Sequence, residues 1–246
     1  MPAMAHPPAP GTETIARRLA SLQVPGDVLI VGLTGSVASG KSTLAGHIVD
    51  ALRATERVTE TVSTDGFLFP NTVLAERELT NRKGFPETYD HGSMAGAIRD
   101  LRSGGATFPA YSHETFDVDP ALARQISKPD VLVLEGLGLP KPTAPPRESG
   151  EADVFIYLDA DLAHIEAWFL ERFMRFWRAA EHDPTSFYAQ FRHMSEAETE
   201  VFAMQVWRTI NLPNLEQHML PLREHADMVV KKDRDHSVRI VEDRLA

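Results

Sequence analysis

Residues 35–42 read Gly-Ser-Val-Ala-Ser-Gly-Lys-Ser, which satisfies G-x-x-x-x-G-K-[ST] at every fixed position. The chemistry of that spacing is phosphate binding. Gly35 and Gly40 let the backbone turn its N–H groups toward phosphate oxygens, and Ser36, Val37, Ala38 and Ser39 form the cradle between them. The helix that starts near Lys41 and runs through Thr43 adds the positive end of its dipole. Lys41 is expected to reach the outer phosphates of a nucleotide, and the Ser42 hydroxyl to ligate Mg²⁺. The other reading is a Gly/Ser turn without a ligand. The flanks favour the first: the apolar run Val28–Leu33 precedes the loop, and Leu44, Ile48, Val49 and Leu52 follow at helical spacing.

A nucleotide loop needs a metal partner and a group that aligns the nucleophile, and both sit at the carboxyl ends of strands in open α/β sheets. Asp65 follows a strand candidate at 58–63, and Glu135 ends the apolar run Val131–Leu134. Glu135 reads as the acid on the Mg²⁺ side. Asp65 reads as a base that takes the proton of a substrate hydroxyl. The alternative for each is a carboxylate capping a turn or the next helix. Arg172, Arg175 and Arg178 recur at three-residue spacing on a long helical pattern over 161–180. One such arginine can stabilise the charge of a transferring phosphoryl group. Glu166, Glu171 and Glu181 nearby leave open an ordinary solvated face. The histidines are scattered, without the i, i+4 spacing of a helical zinc site, so no protein-held metal beyond Mg²⁺ is expected.

These groups need a scaffold. Further strand candidates lie at 154–158 and 228–230, and helical patterns at 93–103 and, with breaks, 195–220 separate most of the strands. Strands alternating with helices predict an α/β fold, a mostly parallel sheet flanked by helices in three layers. Residues 1–12 read as a disordered Pro-rich tail, 13–23 as a short helix, 140–150 as a Pro-rich loop, and 13–246 as one P-loop kinase domain. The 246 residues suffice for one large core. A net charge of −10 argues against broad nucleic-acid binding. The absence of cysteine excludes thiol catalysis and suits a reducing cytoplasm. No apolar run has the length of a membrane span. The guanine-reading N-K-x-D of a GTPase switch is missing. What remains is an ATP-dependent kinase of a small molecule, with an NTP-hydrolysing regulatory protein as the rival from another class. Nucleotide turnover without an added acceptor would favour the rival.

Several segments resemble the bacterial type I pantothenate kinases, within the P-loop uridine kinase and phosphoribulokinase superfamily. They are Gly35–Thr43, Thr64-Asp-Gly-Phe-Leu68, Arg82-Lys-Gly-Phe-Pro-Glu-Thr-Tyr-Asp90, Pro109-Ala-Tyr-Ser-His113, Leu134-Glu-Gly-Leu137, Arg172-Phe-Met-Arg-Phe176, and Ile210–Leu215 running into Leu220-Pro-Leu-Arg223. The resemblance implies ATP and Mg²⁺ as cofactors and a primary alcohol as acceptor, with pantothenate first and another polyol, sugar or nucleoside second. It implies that Asp65 is the base, that Ser42 and Glu135 hold Mg²⁺, and that Lys41 holds ATP phosphates. Arg172 would contact the transferring phosphoryl group, and Tyr111, His113 and Asn211 the acceptor. Lys83 matches a basic position near the phosphates and His236 a position against adenine. A homodimer follows from the family alone.

The departures from the family pattern lie on the acceptor and regulatory side. Phe169, Phe187 and Phe191 stand where the family places phenols, and Glu181 falls near the acceptor tail. Gly46-His47 stands where the family has an arginine for coenzyme A phosphates, and only 34 residues precede Gly35. The reaction centre is thus expected to be kept while the contacts to the acceptor's tail are altered.

Overall fold

The computed structural model describes residues 11–112, 114–143 and 150–245. A six-stranded sheet has the order β2-β5-β1-β6-β7-β8. Its strands are β1 (Leu29–Gly35), β2 (Thr59–Ser63), β5 (Val131–Glu135), β6 (Val154–Ala160), β7 (Met228–Lys232) and β8 (Val238–Asp243). The first five in that order run parallel, and β8 closes the edge antiparallel to β7. The mostly parallel α/β sheet expected from the apolar runs is therefore present.

Period-two alternation divides the core into two layers. Leu29, Val31 and Leu33 of β1 pack with Val131, Val133, Ile156 and Leu158 against helices α1 (Thr12–Leu22) and α2 (Lys41–Arg53). Val28, Ile30, Leu132, Leu134, Phe155 and Tyr157 face the other way, toward α4 (His91–Ser103) and α5 (Leu162–Ala179). A short helix α3 (Asn71–Glu76) lies between β2 and α4. Asp153 fastens the amino ends of the strands. It accepts from the Ile30 N–H at 2.9 Å and forms a two-pronged ion pair with Arg102 of α4 at 3.0 Å.

Several expectations are corrected. Thr12, placed in the Pro-rich tail, is fully buried and begins α1, because the amphipathic face of Ile15 and Leu19 carries the helix back to it; residues 1–10 lie outside the described residues, as do 144–149 of the Pro-rich loop. A second, two-stranded sheet, β3 (Gly105–Ser112) with β4 (Asp117–Ser127), went unread. Its β4 lacks alternation and is exposed along most of its length, while Pro109 sits at a register shift of β3, where a missing N–H costs least. The breaks in the 195–220 helix have a backbone cause. Helix α6 (Glu196–Val206) opens on a capping box of Ser195 and Glu198, then widens into π-type turns at Trp207–Asn211 and Leu215–Met219. Pro213 and Pro221, which cannot donate to the helical ladder, follow these turns by two residues.

Candidate active site

The register of the parallel strands brings their carboxyl ends to one edge. Ser63 pairs with Glu135, Leu33 with Glu135, Gly35 with Leu158, and Ala160 with Lys232. The phosphate loop, Asp65, Glu135 and Lys232 all follow or end strands at that edge.

The phosphate loop follows β1. Ala38 and Gly40 lie in the left-handed region, so the loop curls over its own backbone. Ser36 and Ser39 are buried, and their hydroxyls have no hydrogen-bond partner among the described residues. Lys41 lies against the loop and donates to the carbonyls of Gly35 at 3.1 Å and Ser36 at 2.8 Å. Burial lowers its pKa from 10.5 to about 8, against the pull of Glu135 and Asp65. Ser42 and Thr43 begin α2 on its exposed side. A cradle with unpartnered hydroxyls and a lysine satisfied only by loop carbonyls fits an anionic ligand.

The Ser42 hydroxyl donates to Glu135 Oε1 at 2.9 Å, so the two expected Mg²⁺ ligands already meet. Burial pushes the Glu135 carboxyl above its ordinary range, and Lys41 opposes the shift. Oxygen donors of this kind suit a hard divalent cation. Gly136, next in the chain, is required by packing. A Cβ there would stand 1.8 Å from the Thr64 hydroxyl, so only glycine lets the turn after β5 lie against the residue preceding Asp65.

Asp65 sits on a single 3-10 turn, Thr64–Phe67, at the end of β2. Its charged and titratable neighbours include Lys41, Glu135, Lys83, Tyr89, Tyr111 and Arg172, contributed by five separate segments. The Tyr89 hydroxyl is 3.2 Å from Asp65 Oδ1. Tyr111, on β3, and Asp65 line a common cavity of about 150 Å³. The Lys83 ammonium donates to Asn71 Oδ1 at 2.7 Å and the Phe116 carbonyl at 2.6 Å, and it lies 4.8 Å from the centre of the Tyr111 ring. Arg172 is on α5, with Asp65 and the phenol of Tyr188 as electrostatic neighbours. Arg178, its companion in the sequence pattern, is paired with Glu196 outside this cluster. Asn211 ends the first π-type turn. His113 lies outside the described residues.

A third group approaches the phosphate loop from the opposite side. Lys232, the last residue of β7, donates to the Ser39 carbonyl at 2.8 Å and lies 4.2 Å from the centre of the Trp168 ring. His236, in the β7–β8 turn, stacks on Trp168 at 5.2 Å. Sequence reasoning named His236 but missed Lys232, Trp168, Tyr89 and Tyr188. Lys232 ends β7 two residues past the apolar run 228–230 from which that strand is read, so the run does not mark it. Tyr89 lay inside a quoted motif, but nothing in its spacing says where its hydroxyl points.

The structure places the aromatic residues of this side and Glu181 as follows. Phe169 and Phe173 pack in the core beside Trp207 and Phe191, and Phe187 stacks on Phe116 at 4.1 Å. Glu181 pairs with Arg192 at 3.4 Å.

Residues 30–175 match the model of the Phosphoribulokinase / Uridine kinase family. A Sorangium cellulosum protein named pantothenate kinase is 43% identical over 221 residues, covering 86% of this chain and 71% of that one. A protein of the same name from Cutibacterium acnes is 41% identical, covering 86% of this chain and 68% of its own length. Among solved structures, one from Silicibacter sp. TM1040 superposes with a TM-score of 0.69 at 21% identity, covering 87% of this chain and 95% of that one. The phosphoribulokinase of Rhodobacter spheroides gives 0.50 at 16% identity, covering 83% and 70%. These two show the fold. Carrying the strand-end phosphate site on that fold, and aligned with relatives over most of its length, this chain belongs to the phosphoribulokinase and uridine kinase family of P-loop kinases and is a homologue of the pantothenate kinases.

Proposed function

We propose that this protein transfers the γ-phosphoryl group of ATP to the primary hydroxyl of pantothenate. The observation that carries the reaction type is the placement of Asp65. It stands at the end of β2 with Lys41, Arg172 and Tyr111 among its electrostatic neighbours, and it shares a cavity with Tyr111. The acceptor is supported by the relatives that bear the pantothenate kinase name.

In this reading Asp65 accepts the proton of the attacking hydroxyl as the new O–P bond forms. Lys41 leaves the Gly35 and Ser36 carbonyls for the outer phosphates, and the backbone of residues 35–40, with the Ser36 and Ser39 hydroxyls, holds the rest. Ser42 and Glu135 would hold Mg²⁺, which supplies neutralising charge to the phosphates when bound. Arg172 stabilises charge on the transferring group. Tyr111, His113 and Asn211 contact the acceptor. Lys83, which lies against the Tyr111 ring, would supply positive charge toward the phosphates. His236, Trp168 and Lys232 form the side of the site that takes the base of the nucleotide.

The test is an ATP-coupled assay over pantothenate, uridine, glycerate, small sugars and polyols. Turnover with pantothenate well above the others is expected. Absence of turnover with pantothenate beside rapid turnover of another alcohol would overturn the acceptor, and ATP hydrolysis indifferent to every acceptor would overturn the kinase. Asp65→Asn is expected to lower kcat by roughly 10²- to 10⁴-fold, the span of general-base effects.

A further inference from the structure

The hydroxyl of Tyr89 has Asp65 as its hydrogen-bond partner among the described residues. The ring is buried, 4% exposed, and closely enclosed: a Cβ on Gly138 would stand 2.4 Å from it. The hydroxyl reaches the carboxylate that the proposed reaction needs as its base, at 3.2 Å from Asp65 Oδ1. The main chain fixes the same pair a second time. Leu68 and Tyr89 form an isolated antiparallel bridge, the Phe69 N–H donates to the Thr88 carbonyl at 2.9 Å, and the Asp90 N–H donates to the Phe67 carbonyl at 2.8 Å. The segment after Asp65 and the segment around Tyr89 therefore move as one piece.

A carboxylate turns easily about its last torsion, and both of its oxygens can accept. A base must present one lone pair to one proton at hydrogen-bond distance. We infer that Tyr89 is the positioning residue of the catalytic base: its O–H holds Asp65 Oδ1 and leaves Oδ2 aimed at the acceptor hydroxyl. The loop is itself anchored from the helical run at its back. Asn214, buried, donates through Nδ2 to the Gly84 carbonyl at 2.9 Å, and the Gly84 N–H donates to the Thr88 hydroxyl at 3.1 Å. His218 packs edge-on against Phe85 at 5.6 Å. Asn214 lies three residues after Asn211, so the same run that offers Asn211 to the acceptor also steadies the loop that orients the base.

This inference rests on the proposed kinase reading, and the experiment separates the two. Steady-state kinetics are measured for the wild type, Tyr89→Phe, Asp65→Asn and the double variant, with the best acceptor from the alcohol panel and with melting temperature as the control for folding. The Tyr89→Phe variant is expected to keep the KM for ATP and for the acceptor within about twofold and to lose roughly 10- to 100-fold in kcat, the worth of a hydrogen bond to a charged group. In the Asp65→Asn background the same change is expected to cost much less, because the group it orients is gone. Wild-type kcat in Tyr89→Phe overturns the inference, as does an equal loss in both backgrounds. A wild type that phosphorylates no alcohol overturns the kinase reading and this role with it. Should Tyr89→Phe fail to fold, Asn214→Ala carries the test. It is expected to lower kcat severalfold with unchanged KM, and a change in KM alone overturns the positioning role.

Discussion

The two halves of the site are built on different plans. The proposed phosphate half is one unbroken stretch, Gly35–Thr43, which would meet its ligand with backbone N–H groups, two unpartnered hydroxyls and a lysine, at the strand ends of β1 and β5. The acceptor half has no such stretch. Asp65, Lys83, Tyr89, Tyr111, Arg172 and Asn211 come from segments spread over nearly 150 residues, and they meet only because β2, the β3–β4 sheet, α5 and the π-type turns converge. A backbone cradle tolerates drift in its surroundings. A cluster of side chains changes its ligand when one contributor changes.

The comparison breaks most sharply at Lys41. Lys41→Met is expected to lower kcat by roughly 10²- to 10³-fold through lost charge stabilisation and to weaken ATP binding as well, as read by titration calorimetry. Tyr111→Phe should leave ATP binding unchanged and raise the KM for the acceptor by roughly tenfold, the worth of one lost hydrogen bond. Equal damage to ATP binding by both variants would show that the halves are not separate.

Next in size is the ion pair at the far, amino end of the sheet, which belongs to neither half. Arg102 and Asp153 are each about nine-tenths buried, with side chains 12% and 11% exposed. Arg102→Ala removes the two-pronged ion pair that a buried carboxylate makes across to α4, and a loss of about 3 kcal/mol in urea denaturation is expected, with the kcat of the folded fraction unchanged.

The smallest effect concerns Lys232. Burial lowers its pKa from 10.5 to about 8. Between about pH 8 and 10.5 the unfolded chain holds a proton that the folded one has released, so folding grows more favourable as pH rises through that window, and below it the two states are equally protonated. Lys232→Met should remove part of this rise. Melting temperatures of the two proteins, compared from pH 7 to 10, are expected to show the wild type gaining relative to the variant only above about pH 8.

What could be read from residues follows the same division. The phosphate loop, β1, β5, β6 and the strand-end acids are legible because local signals decide them: a motif with fixed spacing and apolar runs buried on both faces. Thr12 was lost to the tail because prolines earlier in the chain masked a helix that tertiary burial completes. The β3–β4 sheet was illegible because β4 is held by pairing and by Arg124, which reaches Glu60 and the Thr61 carbonyl, and its own pattern carries no alternation. Tyr89 and Lys232 were missed for a related reason. Their chemistry lies in what they touch across 24 and 193 positions of sequence, a distance that spacing rules do not span.

The central position of β1 has a consequence for the order of synthesis. Leu29 pairs with Val131 and Val31 with Val154, so the strand that bears the phosphate loop has both neighbours about a hundred residues downstream. At roughly 5–20 residues per second, the ribosome takes on the order of 5–20 seconds to deliver them. During that interval the loop motif has left the tunnel but has no sheet edge to shape it. A nascent chain stalled before β6 should therefore fail to bind nucleotide, however complete its motif.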